Sequence, residues 1–135
     1  MASFLAPLLA SSGRHLLENT RSGCVVADRL LTAFDSASRR KGLLGRHALP
    51  QKSALLIAPC NAIHTFFMRF PIDVAFVAKD GRVVQVRPTL SAWRIAMALR
   101  AYAVIELPAG ALASSDTVPG DVLSIRTIPP REDEL

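Results

Sequence analysis

Cys60 and His64, four residues apart in Pro59-Cys60-Asn61-Ala62-Ile63-His64, are the pair in this sequence best suited to covalent or acid–base chemistry. A deprotonated thiol is a nucleophile, and a nearby imidazole can accept its proton. The backbone decides whether they meet. In a strand they would stand roughly 13 Å apart, whereas on a helical turn they would be neighbours. Pro59 and Asn61 favour a turn, so contact stays open. Three readings follow. The commonest is a buried cysteine packing as a small hydrophobe beside a histidine satisfied by backbone. The others are a catalytic dyad and a pair that contacts a ligand or metal.

Asp73 follows the Phe70-Pro71-Ile72 corner and enters an apolar strand. A carboxylate there needs a partner such as Arg69, Arg94 or a backbone amide, because burying it unpaired is costly. It is either a structural ion pair or turn cap, or a pocket acid or ligand anchor. Glu106, inside Val104-Ile105-Glu106-Leu107-Pro108, meets the same difficulty and is expected to point outward on an edge strand. Trp93-Arg94 pairs a large flat surface with a planar fork for carboxylate or phosphate. Met68 with Phe66, Phe67 and Phe70 reads as core. The chain contains no GxGxxG, P-loop, HExxH or GxSxG segment. Cys24 and Cys60 form neither a disulfide framework nor a CxxC pair, and a four-ligand structural zinc site has no spacing to support it.

The elements that must position these residues are short. Cys24–Ala27 and Leu30–Ala33 read as strands around Asp28-Arg29, and Asp35 or Ser36 can cap a helix running through Leu44. Gly45 then suits a left-handed stop. Ala54–Ala58 is a buried strand ended by Pro59. Ile63–Phe70, if extended, sends His64, Phe66, Met68 and Phe70 to one face. Asp73–Ala78 and Arg82–Arg87 flank the Lys79-Asp80-Gly81 hairpin turn. Ser91–Leu99 is a loop or short helix, Ala101–Leu107 a strand, and Pro108-Ala109-Gly110 opens a turn or helix. Pro119-Gly120-Asp121 turns into a last strand, Val122–Thr127. The pattern predicts a mainly β (α+β) domain: an antiparallel barrel or folded sheet of about seven short strands with one or two short helices.

The 135 residues suit one domain, and half of them are apolar, which excludes wholesale disorder. The expected layout is a flexible arm over 1–18, one β-rich domain over 19–128, and a disordered tail over 129–135. The longest uncharged stretch, Ser53–Met68, is interrupted by Pro59, Asn61 and His64 and falls short of the ~20 apolar residues of a membrane span. Met1–Ser12 lacks a basic n-region and is broken by Pro7, so a cytoplasmic location is expected over export. Glu132-Asp133-Glu134-Leu135 is similar to an endoplasmic-reticulum retrieval signal but lacks its first residue. The net charge of +5 and a pI of about 10 permit anionic partners. The basic residues are scattered, however, with one tight cluster at Arg39-Arg40-Lys41, which reads as a solvated helix face before a nucleic-acid footprint.

Several blocks occur in order: Arg40-Lys41-Gly42-Leu43-Leu44-Gly45-Arg46; Pro59 through Asp73; Asp80-Gly81-Arg82-Val83-Val84; Glu106-Leu107-Pro108-Ala109-Gly110; and Pro119-Gly120-Asp121. Over residues 22–127 the chain resembles the prokaryotic domain-of-unknown-function family 192, in the branch carrying Cys-Asn-x-Ile-His-Thr. The resemblance implies a small, mostly β single domain and carries no established activity. Other branches differ at Cys60 and His64, which argues against a dyad shared by the whole family. Ser91-Ala92 stands where a proline before Trp is common, a departure in that loop.

Three functional expectations result. The first is a binding or accessory domain whose pocket gathers Cys60, His64, Arg69, Asp73, Trp93 and Arg94 around a small polar or anionic ligand. No cofactor is expected, with a divalent metal a weakly supported occupant. The second is a cysteine-dependent enzyme with Cys60 as nucleophile, His64 as base and Asp73 as orienting carboxylate. The third is a nucleic-acid or protein-interaction module acting through Arg39–Lys41.

Overall fold

The computed structural model describes residues 3–129 and Asp133. Along the chain run α1 (Ala6–Ala10), β1 (Arg14–Asn19), β2 (Val25–Ala27), β3 (Arg29–Ala33), α2 (Ser36–Lys41), β4 (Ser53–Ile57) and β5 (Ala62–His64). They continue with β6 (Ile72–Val77), β7 (Val83–Leu90), β8 (Ile95–Met97), β9 (Ala103–Pro108), α3 (Ala111–Ser114) and β10 (Leu123–Ile128). The fold is mostly β, with ten strands and three short helices among the described residues, against the seven or so strands expected.

A five-stranded sheet in the order β3-β4-β9-β6-β7 forms the centre. Its inner strands β4, β9 and β6 are buried along their whole length. Apolar side chains on both faces require cover on both sides, and two apolar layers provide it. On one face Ala54, Leu56, Ala75, Val77, Ile105 and Leu107 pack with Leu17, Leu123 and Ile125 of a second sheet, ordered β10-β1-β2. On the other face Leu55, Ile57, Val74, Phe76 and Val104 pack with Leu43, Ile63 and Ala96. Each fully buried Leu, Ile or Phe contributes about 1.5–3 kcal/mol relative to exposure, which favours this alternation over any register slip.

The expected folded sheet is present, and among the described residues no sheet closes into a barrel. One pair departs from the antiparallel expectation, since β3 and β4 run parallel. A parallel pair needs a crossover of a dozen or more residues, and α2 with the loop to Lys52 supplies it. Asp35 caps α2 through Ser38 N at 2.8 Å, as its residue type predicts. The helix stops at Lys41 rather than Leu44.

The expected flexible arm over 1–18 is corrected. Leu5 is buried, the Phe4 amide donates to the Lys79 carbonyl, and β1 pairs with both β10 and β2. The hairpin at Lys79-Asp80-Gly81 forms between β6 and β7. Gly81 sits at φ +96°, and a Cβ there would collide with the Leu123 carbonyl oxygen. Ile63–Phe70 is not one strand, because the extended run ends at His64 and Phe67 takes a positive φ. Ser91–Leu99 contains a strand, β8, which pairs with β5 in a separate two-stranded ribbon. The expected disordered tail lies mostly outside the described residues.

Candidate functional site

Beside the central sheet lies a cleft of about 610 Å³. One wall is α2 and the turn after it, bringing Arg39, Arg40, Lys41 and Gly42; the other is Pro59, Cys60, Ala62, Ile63 and His64. Ile57 and Glu106 lie beneath, and Met68 contributes to the apolar lining. Its size and mixed lining fall within the range of small-molecule sites.

Glu106 is the unexpected member of this group. It lies on β9, an inner strand, with Leu55 on one neighbour and Val74 on the other. It is therefore central and buried, not outward on an edge. Its Oε2 is the one buried side-chain oxygen or nitrogen without a hydrogen-bond partner among the described residues. Burial pushes its carboxyl up to about 7, because removal from water penalises the charged form. The clue was a glutamate inside Val104–Leu107, a run whose period and β-branched residues mark a strand. What was missing was that this strand has neighbours on both sides.

Cys60 and His64 both reach the cleft but form no dyad. The Cys60 thiol donates to the Ala62 carbonyl at 3.1 Å. His64 Nδ1 accepts from the Phe66 amide at 3.4 Å, and its ring stacks on Phe66 with centroids 4.9 Å apart. Extended backbone through β5 separates the two side chains, and no hydrogen bond links them.

Asp73 is absent from the cleft. Adjacent strand residues point to opposite faces, and Val74 is the residue registered with Glu106. Asp73 therefore faces the other apolar layer, where its oxygens accept from the amides of Thr89 (2.8 Å), Gly110 (3.1 Å) and Leu112 (2.9 Å). It is a structural clamp between β7 and α3, so the expected orienting carboxylate for His64 is corrected.

Arg69, Trp93 and Arg94 lie outside the cleft lining as well. Arg69 donates to His47 Nδ1 at 3.3 Å. Trp93 is 57% exposed and packs on Phe66 and Phe67, with centroids 5.7 and 4.7 Å apart. Arg39–Lys41, read from sequence as a solvated helix face, lie on a helix with no buried residue and also edge the cleft, with Arg39 partly engaged with the Phe34 carbonyl and Ser36. No cluster of three or more His, Cys, Asp or Glu side chains able to hold a metal occurs among the described residues. Among the same residues, no helix is long and apolar enough to cross a membrane.

A second polar centre is structural. Asp121 accepts from Arg21 Nε at 2.6 Å, Asn19 Nδ2 at 2.9 Å and the Val118 amide at 2.9 Å. The hydrogen bond from Arg21 holds its carboxyl well below the usual range.

The DUF192 family model (Uncharacterized ACR) matches residues 18–125, and the chain belongs to that family. No curated protein matches it. It is similar in structure to a protein of unknown function from Novosphingobium aromaticivorans DSM 12444, with a TM-score of 0.71 and 24% identity over 82% of this chain and 83% of that one. It is likewise similar to a "putative transcription regulator" from Sinorhizobium meliloti 1021, with a TM-score of 0.72 and 23% identity over 83% of this chain and 92% of that one. At these identities the likeness establishes the fold.

Proposed function

We propose that this DUF192 chain is a small-molecule-binding domain whose cleft takes a polar ligand with two distinct ends. One end carries a hydroxyl or amine that hydrogen-bonds Glu106; the other carries an anionic group that pairs with Arg40 and Lys41. The observation behind this reading is the unpartnered Glu106 oxygen under an open cleft. Buried polar atoms are nearly always satisfied, and leaving one unmade costs about 1–3 kcal/mol. A ligand donor reaching this carboxyl from the cleft offsets the cost.

With its carboxyl near 7, Glu106 can donate as the acid or accept as the carboxylate. Cys60 and His64 on the opposite wall add a thiol and an imidazole within the same opening. Arg40 and Lys41 are exposed, which suits attraction of an anion more than tight fixation.

The test is thermal unfolding of the wild type and Glu106→Gln with amino acids, hydroxy acids and sugar phosphates, each at millimolar concentration. A compound that binds only the folded state must raise its stability. At least one class should raise the wild-type midpoint, with a smaller rise in Glu106→Gln. No shift with any of the three classes would count decisively against the reading.

A further inference from the structure

Away from the cleft floor, the β5–β8 ribbon and its loops expose more large apolar side chains than a solvent-facing surface needs. Phe67 is 70% exposed, Trp93 57%, Ile95 60%, Met97 54% and Leu99 81%. The register pairs His64 with Ile95 and Ala62 with Met97, so Ile95 and Met97 share the ribbon's outer face while Ile63 and Ala96 turn inward. Apolar exposure gathered on one ribbon and its loops in this way marks an interaction surface.

The aromatic tip is held outward at a conformational cost. Phe67 and Trp93 both adopt positive φ, at 65° and 64°, a region that bulky side chains rarely occupy. Thr65, buried between the two loops, imposes this geometry. Its amide donates to the Arg94 carbonyl, its carbonyl accepts from the Trp93 and Met68 amides, and its hydroxyl donates to the Ser91 carbonyl at 2.7 Å.

Charge identifies the partner. No aspartate or glutamate occurs between Asp35 and Asp73 or between Asp80 and Glu106, the stretches within which the β5–β8 ribbon and its loops lie. Arg69, Arg94 and Arg100 are exposed in those segments. We infer that this ribbon docks peripherally on an anionic phospholipid bilayer, with Phe67, Trp93, Ile95, Met97 and Leu99 entering the interface and the arginines meeting lipid phosphates. Aromatic and aliphatic side chains beside basic ones are the combination that such an interface rewards. The aliphatic members, which cannot stack on bases, favour lipid over single-stranded nucleic acid. The shared positive charge opposes pairing of this face with a second copy.

Trp93 is the one tryptophan in the chain, so its fluorescence reports the surface directly. The experiment is co-sedimentation and Trp emission with vesicles of phosphatidylcholine alone or mixed with phosphatidylglycerol. Partitioning and a shift to shorter wavelength should occur with the anionic vesicles and not the neutral ones. Arg94→Gln and Arg100→Gln should each weaken partitioning about fivefold, and Phe67→Ser/Leu99→Ser should abolish it with the circular dichroism unchanged. Absence of partitioning into anionic vesicles, or equal partitioning into neutral ones, overturns the inference. So does quenching by oligothymidine without vesicle binding, which would indicate nucleic acid. A vesicle-free shift that grows with protein concentration would indicate a second copy and overturns it too.

Discussion

Gly42 stands over the Glu106 carboxyl: a Cβ on Gly42 would lie 4.0 Å from Oε1. Its φ of +49° and ψ of −125° suit glycine, so the turn that ends α2 brings bare backbone close to the buried acid. Where the α2 wall meets the floor of the cleft, a residue without a side chain thus adjoins one whose side chain lacks a partner.

Glu106 should make stability fall as pH rises. Its folded-state value of about 7 lies above the ordinary glutamate value of 4.5, so the folded state holds the proton more tightly between those limits. Stability is then greatest below about 4.5, declines through the window up to 7, and levels off above it. The loss is of order 3 kcal/mol. Glu106→Gln should be the more stable protein at pH 8, with the difference vanishing near pH 4.5. Denaturant unfolding across that range checks this, and parallel curves for the two proteins would refute it.

Cys60 should react independently of His64. The thiol is turned to the Ala62 carbonyl rather than the imidazole. Iodoacetamide labelling of Cys60 at fixed pH should therefore proceed at the same rate, within about twofold, in His64→Ala. A tenfold slowing in that variant would establish a working dyad.

Asp73→Ala should destabilise the fold without touching the cleft. Removing the carboxylate strands the buried Leu112 amide and the part-buried amides of Thr89 and Gly110, and an unmet buried donor costs about 1–3 kcal/mol. A loss of about 3 kcal/mol or more in denaturant unfolding is expected, with Cys60 labelling in the folded state unaltered. A loss under 1 kcal/mol would show that water replaces the clamp.

Much of the framework was legible locally. The Lys79-Asp80-Gly81 turn, the Asp35 cap and the apolar runs of β4, β6 and β9 follow from turn chemistry, capping and side-chain period, which act over a few residues. The strand reading of Ile63–Phe70 failed for a tertiary reason. Thr65 hydrogen-bonds to the Ser91–Arg94 loop, a partner more than twenty residues away, and bends the chain there. β8 was missed because three residues become a strand only when β5 is beside them.

The site divides in the same way. Cys60, His64 and Arg39–Lys41 were identifiable by residue type, and all of them line the cleft. Choosing between Asp73 and Glu106 was beyond local pattern. Period two says that Asp73 and Val74 face opposite ways, but not which of them shares a face with Cys60. That follows from the pairing of Val74 with Glu106 and from α2 covering that side of the sheet. The sequence by itself determined the inner strands β4, β6 and β9, the Lys79-Asp80-Gly81 turn and the reactive side chains, because those depend on neighbours along the chain. The tertiary structure decided which acid meets them, because strand register and layer order depend on contacts between distant segments.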